Sequence, residues 1–279
     1  MSQTVAGRVR MREVTDDEAA FYHEHGWVKL EGLIAPELAA EMLAQVRDTV
    51  AEAEAELVQG HVDGGRIRDR ADRRDWHFIG RDAGIEPFRS LVYSAEIGRN
   101  ARKLIGRDVA VNYHADLMGV KMPEGHAASK PTGWHQDWVN FPFDRVGMLT
   151  FWIALEDMPP ERGVMRFLSG SKAEGPLGKM GLLGGKEVIE YYPELLERYE
   201  MSPAFGLKAG DATVHNAVTV HGAPANTTDQ PRWAFITSYH PADTCYTGAP
   251  HYIFSPDIGL EVGKPIAHER FRVVYPQDD

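Results

Sequence analysis

Gly133-Trp134-His135-Gln136-Asp137-Trp138 is the stretch on which the reading of this chain turns. Alternate side chains of an extended strand share a face, so His135 and Asp137 can aim an imidazole nitrogen and a carboxylate oxygen at one point. A borderline divalent metal such as Fe(II) accepts that mixture of donors. A third ligand from a distant histidine would complete a 2-His-1-carboxylate facial set with open coordination positions. His-x-Asp alone arises by chance, so the rest of the chain has to supply the third ligand.

The bulk properties narrow the classes. The 279 residues are 43% hydrophobic and 25% charged, an ordinary globular balance for a core that needs no disulfide staples. The single cysteine, Cys245, excludes an intrachain disulfide, suits a reducing cytoplasm and reads as a packed or surface thiol. A net charge of -11 argues against nucleic acid or an anionic membrane as partner. No apolar run is long enough for a signal peptide or a bilayer span, so a cytoplasmic protein without a membrane partner is expected.

Along the chain, Thr15-Asp16-Asp17-Glu18 has the capping-box pattern and predicts a helix ending near Gly26, followed by a strand at Trp27–Leu30. Pro36 opens a long helix at its first turn. Residues 60–75 are charged and arginine-rich: a solvated loop, or a mobile loop near the active site that meets an anion. Trp76–Ile79 reads as a strand and Pro87–Leu104 as one helix. From Val109 onward short strands follow one another: Val109–Tyr113, Leu117–Met122, Gly133–Trp138, Gly147–Ala154, Val164–Phe167, Ala212–His215, Thr219–Ala223 and Trp233–Tyr239. Helices first and strands afterwards predict a mainly β, α+β fold, and eight short strands suffice for a jelly roll. Leu177–Pro203 interrupts the strands and reads as a rim lid with a helix over Pro193–Tyr199.

Two His-x-Asp pairs compete, His114-Ala115-Asp116 and His135-Gln136-Asp137, and spacing alone does not choose among the later histidines 215, 221, 240, 251 and 268. His221 ends an apolar segment just before a turn, a supported yet reachable place for a ligand. Arg232 follows eleven residues later at the start of the next strand, where a hairpin can bring the two together. Arginine beside a metal makes sense if the metal carries a dicarboxylate, because guanidinium pairs with carboxylate in a bidentate fork.

Over Thr15 to Tyr239 the chain resembles the phytanoyl-CoA dioxygenase family of Fe(II)- and 2-oxoglutarate-dependent oxygenases. The resemblance rests on Phe21–Val28, on Trp134-His135-Gln136-Asp137 with Phe141-Pro142-Phe143, on Phe151–Asp157, on Arg162–Lys172, and on Gly210–Ala212 through His221-Gly222, Asn226 and Arg232. It departs where the family often has Ser two residues after the distal histidine, here Ala223, and where a Pro-Gly-Ser-His pattern reads Ser169-Gly170-Ser171-Lys172.

The resemblance implies a single domain over 1–279 with a double-stranded β-helix (jelly-roll, cupin-like) core at 109–240. Residues 15–108 form helical support packed on one sheet, and 177–203 form the lid. It implies His135, Asp137 and His221 as catalytic iron ligands and Arg232 as the partner of the distal carboxylate of 2-oxoglutarate. Trp152, Ser171 and His77 are further cosubstrate contacts, each with a structural alternative: core packing, a turn hydroxyl, and a core or surface imidazole. His114 and Asp116 become a decoy pair, and His215 is read as packed under the barrel. The implied activity uses Fe(II), 2-oxoglutarate and O2 to hydroxylate an unactivated C–H of a small molecule (acyl, terpenoid, polyketide or amino-acid-derived), releasing succinate and CO2. The same cofactors could instead support desaturation, cyclisation or epimerisation. A cupin-like metal-binding module without turnover is the non-enzymatic alternative. A monomer or homodimer is expected.

Overall fold

The computed structural model describes residues 11–47, 84–125, 131–178, 186–249 and 258–277. The predicted strand at Trp76–Ile79, the arginine-rich loop and His77 lie outside these residues. Helix α1 (Asp16–His25) starts on the expected capping box: Glu18 N–H donates to Thr15 Oγ1 at 3.2 Å, and Thr15 N–H donates to Glu18 Oε2 at 2.8 Å. Such a cap contributes about 1 kcal/mol. The helix stops at Gly26, whose φ of 79° is left-handed and whose carbonyl accepts from Thr219 Oγ1 at 2.7 Å. That bond fastens the helix end to the turn before His221. Strand β1 (Trp27–Leu30) follows, then helix α2 over residues 36–47.

The helix expected over Pro87–Leu104 is two helices, α3 (Phe88–Val92) and α4 (Ala95–Ile105). Ser94 sits between them in an extended conformation and caps α4 by accepting from Ile97 N–H, a boundary that the apolar spacing does not register. Among the described residues, nine strands follow the jelly-roll plan. Strands β2 (Val111–Lys121), β4 (Leu149–Ala154), β6 (Ala212–Asn216), β8 (Arg232–Pro241) and β9 (Val273–Tyr275) join β1 in a six-stranded antiparallel sheet, in the order β1-β6-β4-β8-β2-β9. Strands β3 (Thr132–His135), β5 (Arg166–Phe167) and β7 (His221–Ala223) form a three-stranded sheet in the order β3-β7-β5.

The two faces of the large sheet have separate tasks. Phe151, Ile153, Val214, Trp233, Phe235 and Tyr239 face the helices and pack with Leu30, Phe88, Leu91, Ile97 and Leu104 in the main core. Each fully buried side chain of this kind contributes about 1.5–3 kcal/mol. The alternate residues Trp152, Ala154 and Ala234 face the small sheet and pack on Phe167 and Ala223. At the other end, Ala115, Phe143, Met148, Ile266 and Phe271 form a second apolar cluster, with Trp138, Phe141 and Tyr246 against it. The polar site lies on the inward face between these two clusters.

In the described part of the segment read as a lid, a short helix, α5 (Val188–Tyr191), precedes α6 (Leu195–Arg198), which falls within the expected 193–199. Val188 and Leu195 pack with Leu168, Val220 and Trp134, and Glu187 accepts from Trp134 N–H at 3.2 Å. Residues 186–203 are thus fastened to the small sheet that carries His135 and His221.

Candidate active site

His135 and His221 are cross-strand partners in β3 and β7. Phe167 of β5 pairs with His221 on its other side. Strand β3 ends at His135, earlier than the expected strand to Trp138, and Asp137 opens a 3-10 turn over Asp137–Asn140. The two side chains still converge, because Gln136 between them keeps an extended backbone (φ -113°, ψ 138°). Asp137 Oδ1 lies 3.5 Å from His135 Nε2 and 3.7 Å from His221 Nε2. Among the described residues these three are the group whose ligand atoms could hold a metal ion.

The local chain sets the tautomers. His135 Nδ1 is 2.7 Å from the Gly133 carbonyl and His221 Nδ1 is 3.0 Å from the Thr219 carbonyl. Each carbonyl two residues upstream accepts a hydrogen bond from Nδ1–H, which keeps the ring proton there and leaves the Nε2 lone pair facing Asp137. Burial, with His215 and His135 crowding it, pushes the His221 imidazolium well below its usual range, so the ring is neutral as a metal ligand requires. Burial alone would raise the Asp137 carboxyl. The neighbouring His221, with His135 and His215 close to the two carboxylate oxygens, outweighs that and holds it well below the ordinary carboxylate range. Two imidazoles that turn Nε2 toward one carboxylate fit a divalent iron of the facial type.

The other oxygen of Asp137 is held as well. Oδ2 lies 3.1 Å from His215 Nε2 and accepts from Thr150 Oγ1 at 3.2 Å, and Thr150 in turn meets Ser238 Oγ at 3.1 Å. His215 is buried as expected, but it touches the carboxylate rather than only filling space. Its strand carried a signal for this: Ala212 and Val214 are apolar, which sends Thr213 and His215 to the opposite, inward face. Gln136, between His135 and Asp137, has a role that the spacing does not register. Its Nε2 donates to the carbonyls of Val218 (2.7 Å) and Gly175 (2.9 Å), and its Oε1 accepts from Leu177 N–H (2.9 Å).

The rival pair separates. A bulge between Tyr113 and Ala115 breaks the alternation of β2, so His114 and Asp116 do not share a face. Asp116 accepts from the Tyr113 hydroxyl at 2.5 Å, whereas His114 stacks on Phe271 and meets Phe141, Phe143 and His240.

Arg232 is buried at the start of β8, with Trp152 beneath it at 5.0 Å from guanidinium carbon to ring centroid. Its Nη1 donates to the Gly163 carbonyl at 2.5 Å, and its Nε has no partner. Burial lowers the guanidinium to about 10, which leaves it charged at neutral pH. Ser171 is fully buried and its hydroxyl accepts from Val220 N–H at 2.9 Å, so it braces the backbone leading into His221.

This fold, with three convergent ligand atoms and a buried arginine on one inner face, defines the class. The phytanoyl-CoA dioxygenase family matches residues 22–234, and the chain belongs to that family of iron- and 2-oxoglutarate-dependent oxygenases. A probable alpha-ketoglutarate-dependent hypophosphite dioxygenase from Stutzerimonas stutzeri is 26% identical over 238 residues, covering 80% of this chain and 77% of that protein. The solved non-heme alpha-ketoglutarate-dependent carbocyclase SnoK of nogalamycin biosynthesis is 25% identical with a TM-score of 0.69, over 92% of this chain and 95% of its own. The epimerase SnoN, solved with Fe3+, alpha-ketoglutarate and nogalamycin RO, is 28% identical with a TM-score of 0.69, over 93% and 98%. No helix among the described residues is long and apolar enough to cross a membrane.

Proposed function

We propose that His135, Asp137 and His221 hold Fe(II), that Arg232 on its Trp152 platform holds the distal carboxylate of 2-oxoglutarate, and that the enzyme hydroxylates a C–H bond of an organic small molecule. The observation that carries this is the convergence of two imidazoles, each with its Nε2 freed by a backbone carbonyl, on one oxygen of a carboxylate whose other oxygen is already engaged. When bound, the iron and its cosubstrate activate O2 through oxidative decarboxylation to succinate and CO2, which supplies the oxidising power for an unactivated C–H.

The chain's own residues do the rest. His215 and Thr150 fix Asp137 by Oδ2 and leave Oδ1 toward the two histidines. Trp138, Phe141 and Tyr246 present an aromatic wall beside the metal motif, suited to an apolar, ring-bearing or acyl substrate and to excluding water. A second outcome, cyclisation or epimerisation with the same cofactors, is favoured by the likeness to SnoK and SnoN at 25% and 28% identity, since those proteins are a carbocyclase and an epimerase. A panel of acyl, polyketide and amino-acid-derived compounds, read by succinate release in air, tests the reading. Substrate-dependent succinate with a hydroxylated, cyclised or epimerised product supports it. Metal binding with no succinate under any condition would instead mean a binding module without turnover.

A further inference from the structure

Lys121 and Arg232 face one another as cross-strand partners in β2 and β8. Both are buried, at 4% and 5% exposure, and side chains of this charge are rarely buried without a counter-charge. Among the described residues, no carboxylate forms an ion pair with either. The lysine ammonium donates to the carbonyls of Ala223 (3.2 Å) and Pro224 (2.7 Å), just past the β7 strand that carries His221. An ammonium has three donors, so one remains after those two carbonyls. Arg232 likewise bonds a carbonyl, that of Gly163, and leaves Nε unsatisfied. A methyl group added at Gly163 would meet Lys121 Cδ and the Pro224 carbonyl at 2.9 Å, so lysine and arginine are crowded around the same turn. Two desolvated cations side by side repel, and an anion between them removes that cost.

Resting on the reading of Arg232 given above, we propose that Lys121 is the second cationic contact for the distal carboxylate of 2-oxoglutarate, and that the cosubstrate is held by a lysine–arginine pair rather than by arginine alone. The guanidinium offers a planar fork and the ammonium a point charge, so one carboxylate can meet both. The groups facing the ammonium are the Arg232 guanidinium from β8, the carbonyls of Ala223 and Pro224, and the Gly163 turn. Of these, Arg232 is the charged one. Burial, with Arg232 adding to it, holds the lysine down to about 7. Carboxylate binding requires the protonated ammonium, so affinity for 2-oxoglutarate should fall as pH rises from 6 to 9.

The test is an anaerobic titration of the Fe(II)-loaded full chain, read by the visible charge-transfer band of the chelate. 2-Oxoglutarate is compared with pyruvate, a 2-oxo acid that lacks the distal carboxylate. Lys121→Met should weaken 2-oxoglutarate about ten- to a hundredfold, the scale of one lost charged hydrogen bond, and leave pyruvate unchanged. Lys121→Arg should restore most of the affinity. In the wild type, the pH dependence should appear with 2-oxoglutarate and not with pyruvate, a measurement that needs no variant to fold. Unchanged 2-oxoglutarate affinity in Lys121→Met, equal losses for both ligands, or a pH-independent wild type would overturn the proposal and leave the Arg232 reading standing. Failure of the wild type to form any 2-oxoglutarate chelate would overturn both.

Discussion

His215 Nε2 and Asp137 Oδ2 lie 3.1 Å apart, with His215 on β6 of the large sheet and His135 and His221 paired on the small one. The carboxylate is therefore divided: Oδ2 meets His215 and Thr150, and Oδ1 faces His135 and His221. Loss of His215 frees the carboxylate to rotate. His215→Ala should lower Fe(II) affinity about ten- to a hundredfold, as found for partners of metal-bound carboxylates. Competition with a chromophoric chelator measures this, and His215→Gln, which keeps a donor, should lose less. Equal Fe(II) affinity in His215→Ala and wild type would mean that the bond is incidental.

Gln136 spends its whole side chain on the backbone, with three bonds that join the metal motif to the 175–177 segment and to the turn before His221. Gln136→Leu has a similar volume and leaves two carbonyls and one N–H unsatisfied. Each costs about 1–3 kcal/mol when buried, so a marked fall in denaturant midpoint is expected. A midpoint within error of wild type would show that water replaces these bonds without loss.

Arg232→Ala should raise the 2-oxoglutarate concentration needed for half-maximal succinate release far more than the substrate concentration. Equal effects on both would count against a clamp specific to the cosubstrate.

The fully buried His240 has no hydrogen-bond partner for either ring nitrogen among the described residues and packs against Phe143, His114 and Phe271. Burial pushes its imidazolium down to about 3. The unfolded chain takes up that proton near pH 6.5, so stability from this residue is complete above 6.5 and is lost progressively as pH falls toward 3. His240→Leu removes the effect. Between pH 7 and 4, the melting temperature of the variant should fall less steeply than that of the wild type. Parallel slopes would show that the imidazole finds a proton-accepting partner.

Much of this was legible because it depends on local period and caps. The Thr15 box, Gly26, and the alternation on β4, β6 and β8 read directly from the chain, and the family pattern placed His135, Asp137, His221 and Arg232. What escaped depends on contacts between distant segments. The bulge that parts His114 from Asp116 is set by pairing with β8, not by the residues of β2 alone. Ser94 breaks a helix whose apolar spacing continues through it. The roles of Gln136, Lys121 and His215 appear only when hydrogen-bond partners 39 to 103 residues away arrive, and no window of sequence holds both ends of those bonds.

The most direct measurement is the anaerobic spectrum of Fe(II) and 2-oxoglutarate added to wild type and to Asp137→Ala. A weak visible charge-transfer band that saturates at one Fe(II) per chain in the wild type and is absent or much weakened in Asp137→Ala is the predicted result. An undiminished band and full turnover in Asp137→Ala would contradict it and move the metal to other residues.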